Sequence, residues 1–302
     1  MRLQANAKYW GGKPELGTVT IKFVTDPAAW VAEVESGNSH VTLEMPYEED
    51  DRLKGTFNGI ARPISDIGMI FLNDIEVMLD PNVRHAAVAA IDKQTIITRL
   101  LSGYGVPIDT LETPDYDAYD PTIKTPYDPD AAVKLLAASG YSFDKPVKFT
   151  IQTTKGFKPK DYEMIQAIVG LWRKVGIEAR IETYEIAKHY ELRAANRLAP
   201  TAFYNWGNSV RDPTTSTGFA MFGPSPHSVW DSQDLIDKIG PLWGEADEAK
   251  RIQGRKDVDR YIAENANVIP LLQYVQPILS ATGVVVTPHA SGAPLPHLVK
   301  RA

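Results

Sequence analysis

V-K-F-T-I-Q-T (Val147–Thr153), the amphipathic run at residues 161–175 and I-E-A-R-I-E-T-Y (residues 177–184) decide the fold class. In the first stretch Val147, Phe149 and Ile151 alternate with polar residues, the period of a half-buried strand. In the second, Ile165, Ile168, Val169, Trp172 and Val175 fall on one helical stripe. Gly176 ends that helix, and the third stretch alternates strictly again. A strand, a helix and a strand at this spacing form a βαβ crossover, which implies a parallel sheet with helices packed on it. A helix at residues 186–196 and the apolar run Thr201-Ala202-Phe203 repeat the pattern. The fold class is α/β.

Directly after that last run stands Y-N-W-G-N-S-V-R-D-P, residues 204–213. Gly weakens a strand ladder and Pro gives no N–H, so the chain is expected to turn here. Two readings stay open. Open α/β sheets bind ligands beyond the carboxyl ends of their strands, which makes this a ligand loop with Trp206 as its wall. Alternatively Trp206 caps the core above a plain turn.

Toward the N-terminus, residues 18–24 alternate as a strand, and Asp26-Pro27 opens a helix with Trp30, Val31 and Val34 on one face and Gly37 at its end. A short strand at 41–43 and a helix from Pro46 follow. The acidic run Glu48, Glu49, Asp50, Asp51 reads as a solvated first turn favoured by the helix dipole, not as a cation site. Two strands are expected at 60–64 and 67–72, a helix from Pro81, and a second helix from Asp92 to Leu101, ended by Gly103. Residues 105–129, rich in Pro, Asp and Tyr, are expected to lie on the surface. Helices at 231–243 and 247–265 precede V-I-P-L-L-Q (residues 268–273), whose Pro270 suggests an edge or crossing strand.

A length of 302 residues suits two ordinary domains or one large one. Hydrophobic residues at 43% and charged residues at 23% match an average globular chain, and no apolar run approaches the roughly 20 residues that cross a bilayer. A net charge of -6 without any Lys/Arg-rich run argues against nucleic acid as a partner. The absence of cysteine removes disulfides, thiolate metal sites and cysteine nucleophiles. No apolar core follows the single Arg of M-R-L-Q-A-N-A-K-Y-W, so no signal peptide is read there.

Motifs of catalysis and metal binding do not emerge. None of His40, His85, His189, His227, His289 and His297 forms an i, i+4 pair on a helix. D-Y-D-A-Y-D (residues 115–120) lacks the Gly and distal Glu of a calcium loop. G-x-S-x-G, the P-loop and G-x-G-x-x-G after a strand are missing, and S-F-D-K (residues 142–145) matches S-x-x-K in a loop, without companion motifs. The expectation is a protein that is not an enzyme and holds neither metal nor cofactor.

N-A-K-Y-W-G-G-K-P-E-L, V-E-S-G, V-R-H-A-A-V-A-A-I-D-K, L-L-S-G-Y-G, Y-D-P-D-A-A-V-K-L-L-A-A-S-G-Y, Y-N-W-G...D-P and N-A-N-V-I-P-L-L-Q follow one another from Asn6 to about Gln276. In order and spacing this series resembles the dipeptide- and oligopeptide-type solute-binding proteins of ABC importers. The resemblance implies a periplasmic-binding-protein-like, two-lobed, hinged α/β fold that closes on a solute between its lobes and presents it to membrane permease subunits. Lobe one would hold residues 1–76 and 275–302, lobe two residues 77–274, with the crossings near 74–81 and 271–276 as hinge. It also implies a periplasmic location, a monomer, and correspondence to the C-terminal part of such a protein, with the first lobe incomplete. The alternatives are a small-molecule sensor that signals to a partner protein and, further off, an enzyme.

In the peptide-binding members an Asp three residues beyond the Trp takes the ligand's amino group. Ser209 stands there in this chain, and a hydroxyl does not neutralise an ammonium. Asp212 is the alternative carboxylate, although an Asp before Pro commonly shapes its own turn. Lys155, in the loop after the 147–153 strand, falls near the position of the family's carboxylate-binding Arg. The ligand-binding set implied is therefore Trp206, Asn205, Asn208, Ser209, Asp212 and Lys155, tuned for something other than a free peptide amine.

Overall fold

The computed structural model of the chain describes residues 1–53, 55–207, 220–225, 228–293 and 295–302. These fall into two compact units, one of Met1–Ser65 with Tyr274–Ala302 and one of Asp66–Gln273.

The first unit opens with β1 (Arg2–Gln4), antiparallel to β2 (Thr18–Thr20), which is shorter than the strand expected at 18–24. Helix α1 (Pro27–Glu35) starts as read, with the Asp26 carboxylate accepting from the Ala28 N–H at 3.0 Å and Pro27 in its first turn. Its Val31 and Val34 pack with Met45, Leu53 and Leu279. After β3 (Val41–Thr42) comes α2 (Tyr47–Leu53). The acidic run does occupy the first turn, but it is not wholly solvated. Tyr47, Asp50 and Leu53 share the inward face at helical spacing, and Asp50 is fully buried.

The segment expected as two strands is one, β4 (Asn58–Leu72), with residues in both units. Pro63 lies in its exposed half, where a missing N–H is cheap, so it does not break the strand. In the second unit α3 (Pro81–Ala89) is capped by Asp80 and α4 (Lys93–Leu100) by Asp92. Gly103, at a φ of 84°, closes α4 by donating to the Ile97 carbonyl at 3.1 Å.

Next come β5 (Gly105–Pro107) and a segment that corrects the surface expectation for residues 105–129. Ile108, Thr110, Leu111, Glu112, Thr113, Ala118 and Ile123 are all buried. Charge holds this polar loop inside. The Lys93 ammonium donates to Ile108 O at 2.7 Å and to Asp109 and Thr125 at 2.9 Å. Glu112 is wholly buried against Arg255, which reaches it at 2.9 Å.

Then follow α5 (Pro129–Ala138), β6 (Val147–Thr153), α6 (Asp161–Arg173), β7 (Ile177–Thr183), α7 (Ile186–Ala194) and β8 (Thr201–Gly207). The βαβ reading is confirmed: β6 and β7 are parallel from Val147 opposite Ile177 to Thr153 opposite Thr183. Trp172 of α6 is fully buried, its indole N–H donating to Ala87 O at 2.9 Å and its ring edge-on to Phe149 at 5.3 Å. Strand β8 runs parallel to β6 and antiparallel to β4, with Asp66 opposite Gly207 and Leu72 opposite Thr201.

Helices α8 (Gln233–Ile239) and α9 (Glu248–Asn265) lead into β9 (Val268–Ser280). Pro270 does not place β9 at an edge. The sheet order is β3-β9-β4-β8-β6-β7, with β5 also pairing with β9. The hairpin of β10 (Val284–Val286) and β11 (Val299–Arg301) ends the chain. No helix among the described residues is long and apolar enough to cross a membrane.

Candidate functional site

Because β8, β6 and β7 are parallel neighbours, their carboxyl ends at Gly207, Thr153 and Thr183 form one edge of the second unit's sheet. The residues following those ends are the loop at 154–160 and the start of α7. Open α/β sheets use this edge for ligands.

Trp206 stands at this edge, but the expected turn begins later than Tyr204. Tyr204, Asn205, Trp206 and Gly207 all belong to β8, and Trp206 pairs with Ile67 of β4. The antiparallel neighbour supplies the ladder that local sequence does not show, and Gly207 falls at the strand's last position. Period two puts Tyr204 and Trp206 on one face and Asn205 on the other. Trp206 is half-buried against the apolar core and edge-on to Phe71 at 6.5 Å. The ring expected as a site wall is thus packed on the core. Asn205 is half-buried, and its amide nitrogen has no hydrogen-bond partner among the described residues.

Helix α7 covers the Tyr204 and Trp206 face. His189 is buried, stacked on Tyr204 at 4.2 Å and 15°, and hydrogen-bonded through Nε2 to Phe203 O at 2.9 Å. The Tyr204 hydroxyl donates back to His189 O at 2.6 Å. Burial pushes the His189 imidazole below its usual pKa and the Tyr204 phenol above its own. One turn beyond His189, the Arg193 guanidinium lies 5.4 Å from the Tyr190 ring centre, 4.9 Å from that of Tyr204 and 5.1 Å from that of Trp206. Helical side chains tilt toward the helix N-terminus, which carries this long side chain back over Tyr190.

On β6 the loop is held from below. The buried Asp161 carboxylate accepts from the Thr154 hydroxyl at 2.7 Å and from the N–H groups of Gly156, Phe157, Lys158 and Tyr162 at 2.8, 3.0, 3.3 and 2.8 Å. Lys155 is exposed, with its ammonium 5.3 Å from the Tyr162 ring. Lys158 is the residue that reaches the end of β8, bonding Asp66 at 2.6 Å. Asp66 lies so close to Gly207 that a Cβ there would sit 2.5 Å from its Oδ1. Phe157 and Tyr190, 40% and 41% exposed, meet edge to face at 6.4 Å.

Of the six residues expected from sequence, Trp206 and Lys155 fall on loops or strand ends of this edge, and Asn205 points to the opposite face of β8. Asn208, Ser209 and Asp212 lie outside the described residues. Arg193, Lys158 and Asp66 were not singled out from sequence. The basic run K-G-F-K-P-K after β6 was the available signal for Lys158, whereas Arg193 carries none beyond its spacing from His189. Among the described residues no group of three or more His, Asp or Glu side chains could hold a metal ion.

A sheet of this order, with aromatic and cationic side chains gathered at the carboxyl ends of its parallel strands, defines an α/β protein of the periplasmic-binding-protein class. The solved structures agree on the fold. NikA from Brucella suis in complex with Fe(III)-EDTA superposes with a TM-score of 0.85 at 22% identity, covering 100% of this chain and 65% of that one. AppA from Bacillus subtilis in complex with a nonapeptide gives 0.80 at 19%, covering 100% and 64%. Residues 1–225 match the model of the bacterial extracellular solute-binding proteins, family 5 Middle, and the chain belongs to that family. The dipeptide-binding protein of Escherichia coli is 27% identical over 269 residues, 84% of this chain and 49% of that protein. Heme-binding protein A of Haemophilus influenzae is 27% identical over 280 residues, 90% of this chain and 51% of that protein. The chain spans about half the length of these relatives. The family expected from the sequence landmarks, and the α/β periplasmic-binding-protein-like fold, are borne out.

Proposed function

We propose that the chain serves as the solute-binding part of an ABC importer. It takes a peptide-like or other small polar solute at the carboxyl edge of β6, β7 and β8 and hands it to permease subunits. The supporting observation is the convergence of Trp206, Arg193, Tyr190 and the 154–160 loop on that edge. An aromatic wall with few polar groups around it is what a small-solute site requires. In this reading residues 1–76 and 275–302 belong to one lobe and 77–274 to the other, the protein acts as a monomer in the periplasm, and it returns its solute chemically unchanged. Trp206 is the stacking wall, with Lys155 at the same edge; Asn208, Ser209 and Asp212, outside the described residues, belong to the proposed set, and Asn205, on the opposite face of β8, falls outside it.

The printed names of the relatives supply the probes: dialanine, a longer peptide, hemin and Fe(III)-EDTA. The 302-residue chain is titrated with each by calorimetry, and the probe is recovered and weighed by mass spectrometry. The expected result is saturable binding of at least one probe, recovered intact and weakened about fivefold by Trp206→Ala, the loss of one aromatic stacking contact. Binding of none, or conversion of any, overturns the reading.

A further inference from the structure

The loop after β6 crosses the carboxyl edge of the second unit's sheet and is pinned on both sides. Asp66 stands opposite Gly207, so its side chain lies on the Asn205 face of β8, whereas α7 with Tyr190 covers the Trp206 face. On the first face the Lys158 ammonium meets the Asp66 carboxylate at 2.6 Å. On the second the Phe157 ring meets Tyr190 edge to face at 6.4 Å. Between these contacts the same ammonium lies 5.8 Å from the centre of the Phe157 ring, within cation–π range. A continuous chain of contacts therefore runs from Asp66 through Lys158 and Phe157 to Tyr190.

Each link in that chain is fixed by its surroundings. The Lys158 and Asp66 side chains are 18% and 28% exposed, so their attraction is screened less than that of a surface pair. The Asp161 carboxylate holds the backbone that carries the next two links, accepting from the N–H groups of Phe157 and Lys158 at 3.0 and 3.3 Å. Gly207 leaves room for the Asp66 carboxylate, since a Cβ there would come within 2.5 Å of its Oδ1. At the far end Phe157 and Tyr190 stay open to solvent by about two-fifths. Two large rings held in this way offer apolar area that is already ordered before a solute arrives, which favours binding of a group that covers them.

We propose that Asp66 is a positioning residue of the solute edge: through Lys158 it holds the Phe157 ring against Tyr190, and these two rings select a solute that carries an aromatic group. Asp66 does not touch the solute in this arrangement. It sets where the ammonium lies, the ammonium sets the face that Phe157 turns to it, and the ring then stands where a second ring stacks or packs edge-on. The inference rests on the solute-binding reading given above, and it adds an aromatic group to the solute and names the residue that prepares its place.

The test uses the 302-residue chain and two probes that differ by one phenyl ring, dialanine and alanyl-phenylalanine, titrated by calorimetry. Alanyl-phenylalanine is expected to bind at least about tenfold more tightly, and Phe157→Leu to remove most of that preference. Asp66→Asn and Lys158→Met are each expected to cut the preference to about threefold or less, and the double variant to cut it no further, because both act through one contact. Gly207→Ala displaces the Asp66 carboxylate without removing a charge and is expected to act in the same direction. Thermal melts verify that the variants fold; a general loss of stability weakens both probes alike and leaves their ratio unchanged. A preference below about twofold in the unaltered chain, or a full preference that survives in folded Asp66→Asn or Lys158→Met, overturns the inference and leaves the solute-binding reading standing. If neither dipeptide binds while hemin or Fe(III)-EDTA does, the inference falls alone; if those fail too, both fall.

Discussion

Removing Arg255 tests the account of how a polar loop comes to be buried. Arg255 is fully buried, its Nε donating to Glu112 at 2.9 Å and its Nη2 to Asp259 at 3.0 Å, with both carboxylates equally buried. Arg255→Met keeps most of the volume and deletes the only charge of opposite sign in that trio. Two carboxylates then remain out of water without the Arg255 charge, and breaking a buried ion pair in this way costs about 3–5 kcal/mol. For a unit the size of Asp66–Gln273 this lowers the melting temperature by roughly 6–20 °C, at about 2–4 °C per kcal/mol. The loss has a pH signature. Burial raises the Asp259 pKa and Arg255 opposes the rise, so deleting Arg255 lets it climb further. A group with a raised folded pKa stabilises the protein fully below its unfolded pKa and loses that contribution as pH rises through the folded value. The deficit of Arg255→Met should therefore be larger at pH 7 than at pH 5, where lower pH favours the protonated form of Asp259. Urea unfolding of both proteins at the two pH values, followed by circular dichroism and fluorescence, measures it. A deficit below about 1 kcal/mol at pH 7, or one that grows on acidification, refutes the argument.

Asp161→Ala deprives four backbone N–H groups and one hydroxyl of their shared acceptor, and should cost about 3 kcal/mol while speeding amide exchange at Gly156, Phe157 and Lys158. Unchanged exchange there would show that the loop is held by something else. His189 supplies the second pH test: its folded pKa is depressed by burial, and Nδ1 has no hydrogen-bond partner among the described residues. Its contribution is present above the unfolded pKa of about 6.5 and lost as pH falls toward the folded value, at up to about 1.4 kcal/mol per pH unit. Substitution by Phe, which keeps a ring against Tyr204, should flatten the stability profile between pH 6.5 and 5; an identical slope in the two proteins would assign the acid sensitivity to other groups.

Local pattern was enough wherever one element decides its own conformation. The alternation of residues 147–153 and 177–183, the Asp26 and Asp92 caps, Pro81 at a helix start and the positive-φ glycines at 37, 103 and 176 follow from steric and hydrogen-bonding rules that act within a few residues. The placement of Trp206 at a carboxyl strand end was legible for the same reason, since a βαβ repeat fixes the direction of the next strand. Where a distant segment decides, local signals misled. Residues 60–64 and 67–72 read as two strands and form one, and Pro270 suggested an edge or crossing position, whereas β9 lies between β3 and β4 in the sheet order. The loop at 105–129 read as surface because its partners, Arg255 and Asp259, are more than a hundred residues away.

The sequence by itself determined the α/β class and the family, and it pointed to the strand edge proposed for the ligand, because periodicity and the order of landmarks are properties of the chain alone. Tertiary structure decided which side chains stand together at that edge. It set Arg193 against the rings of Tyr190, Tyr204 and Trp206, joined Lys158 to Asp66, and turned Asn205 away from Trp206. The physical reason is that a site is made of contacts across helix and strand, where distance in space is set by packing and pairing rather than by spacing along the chain.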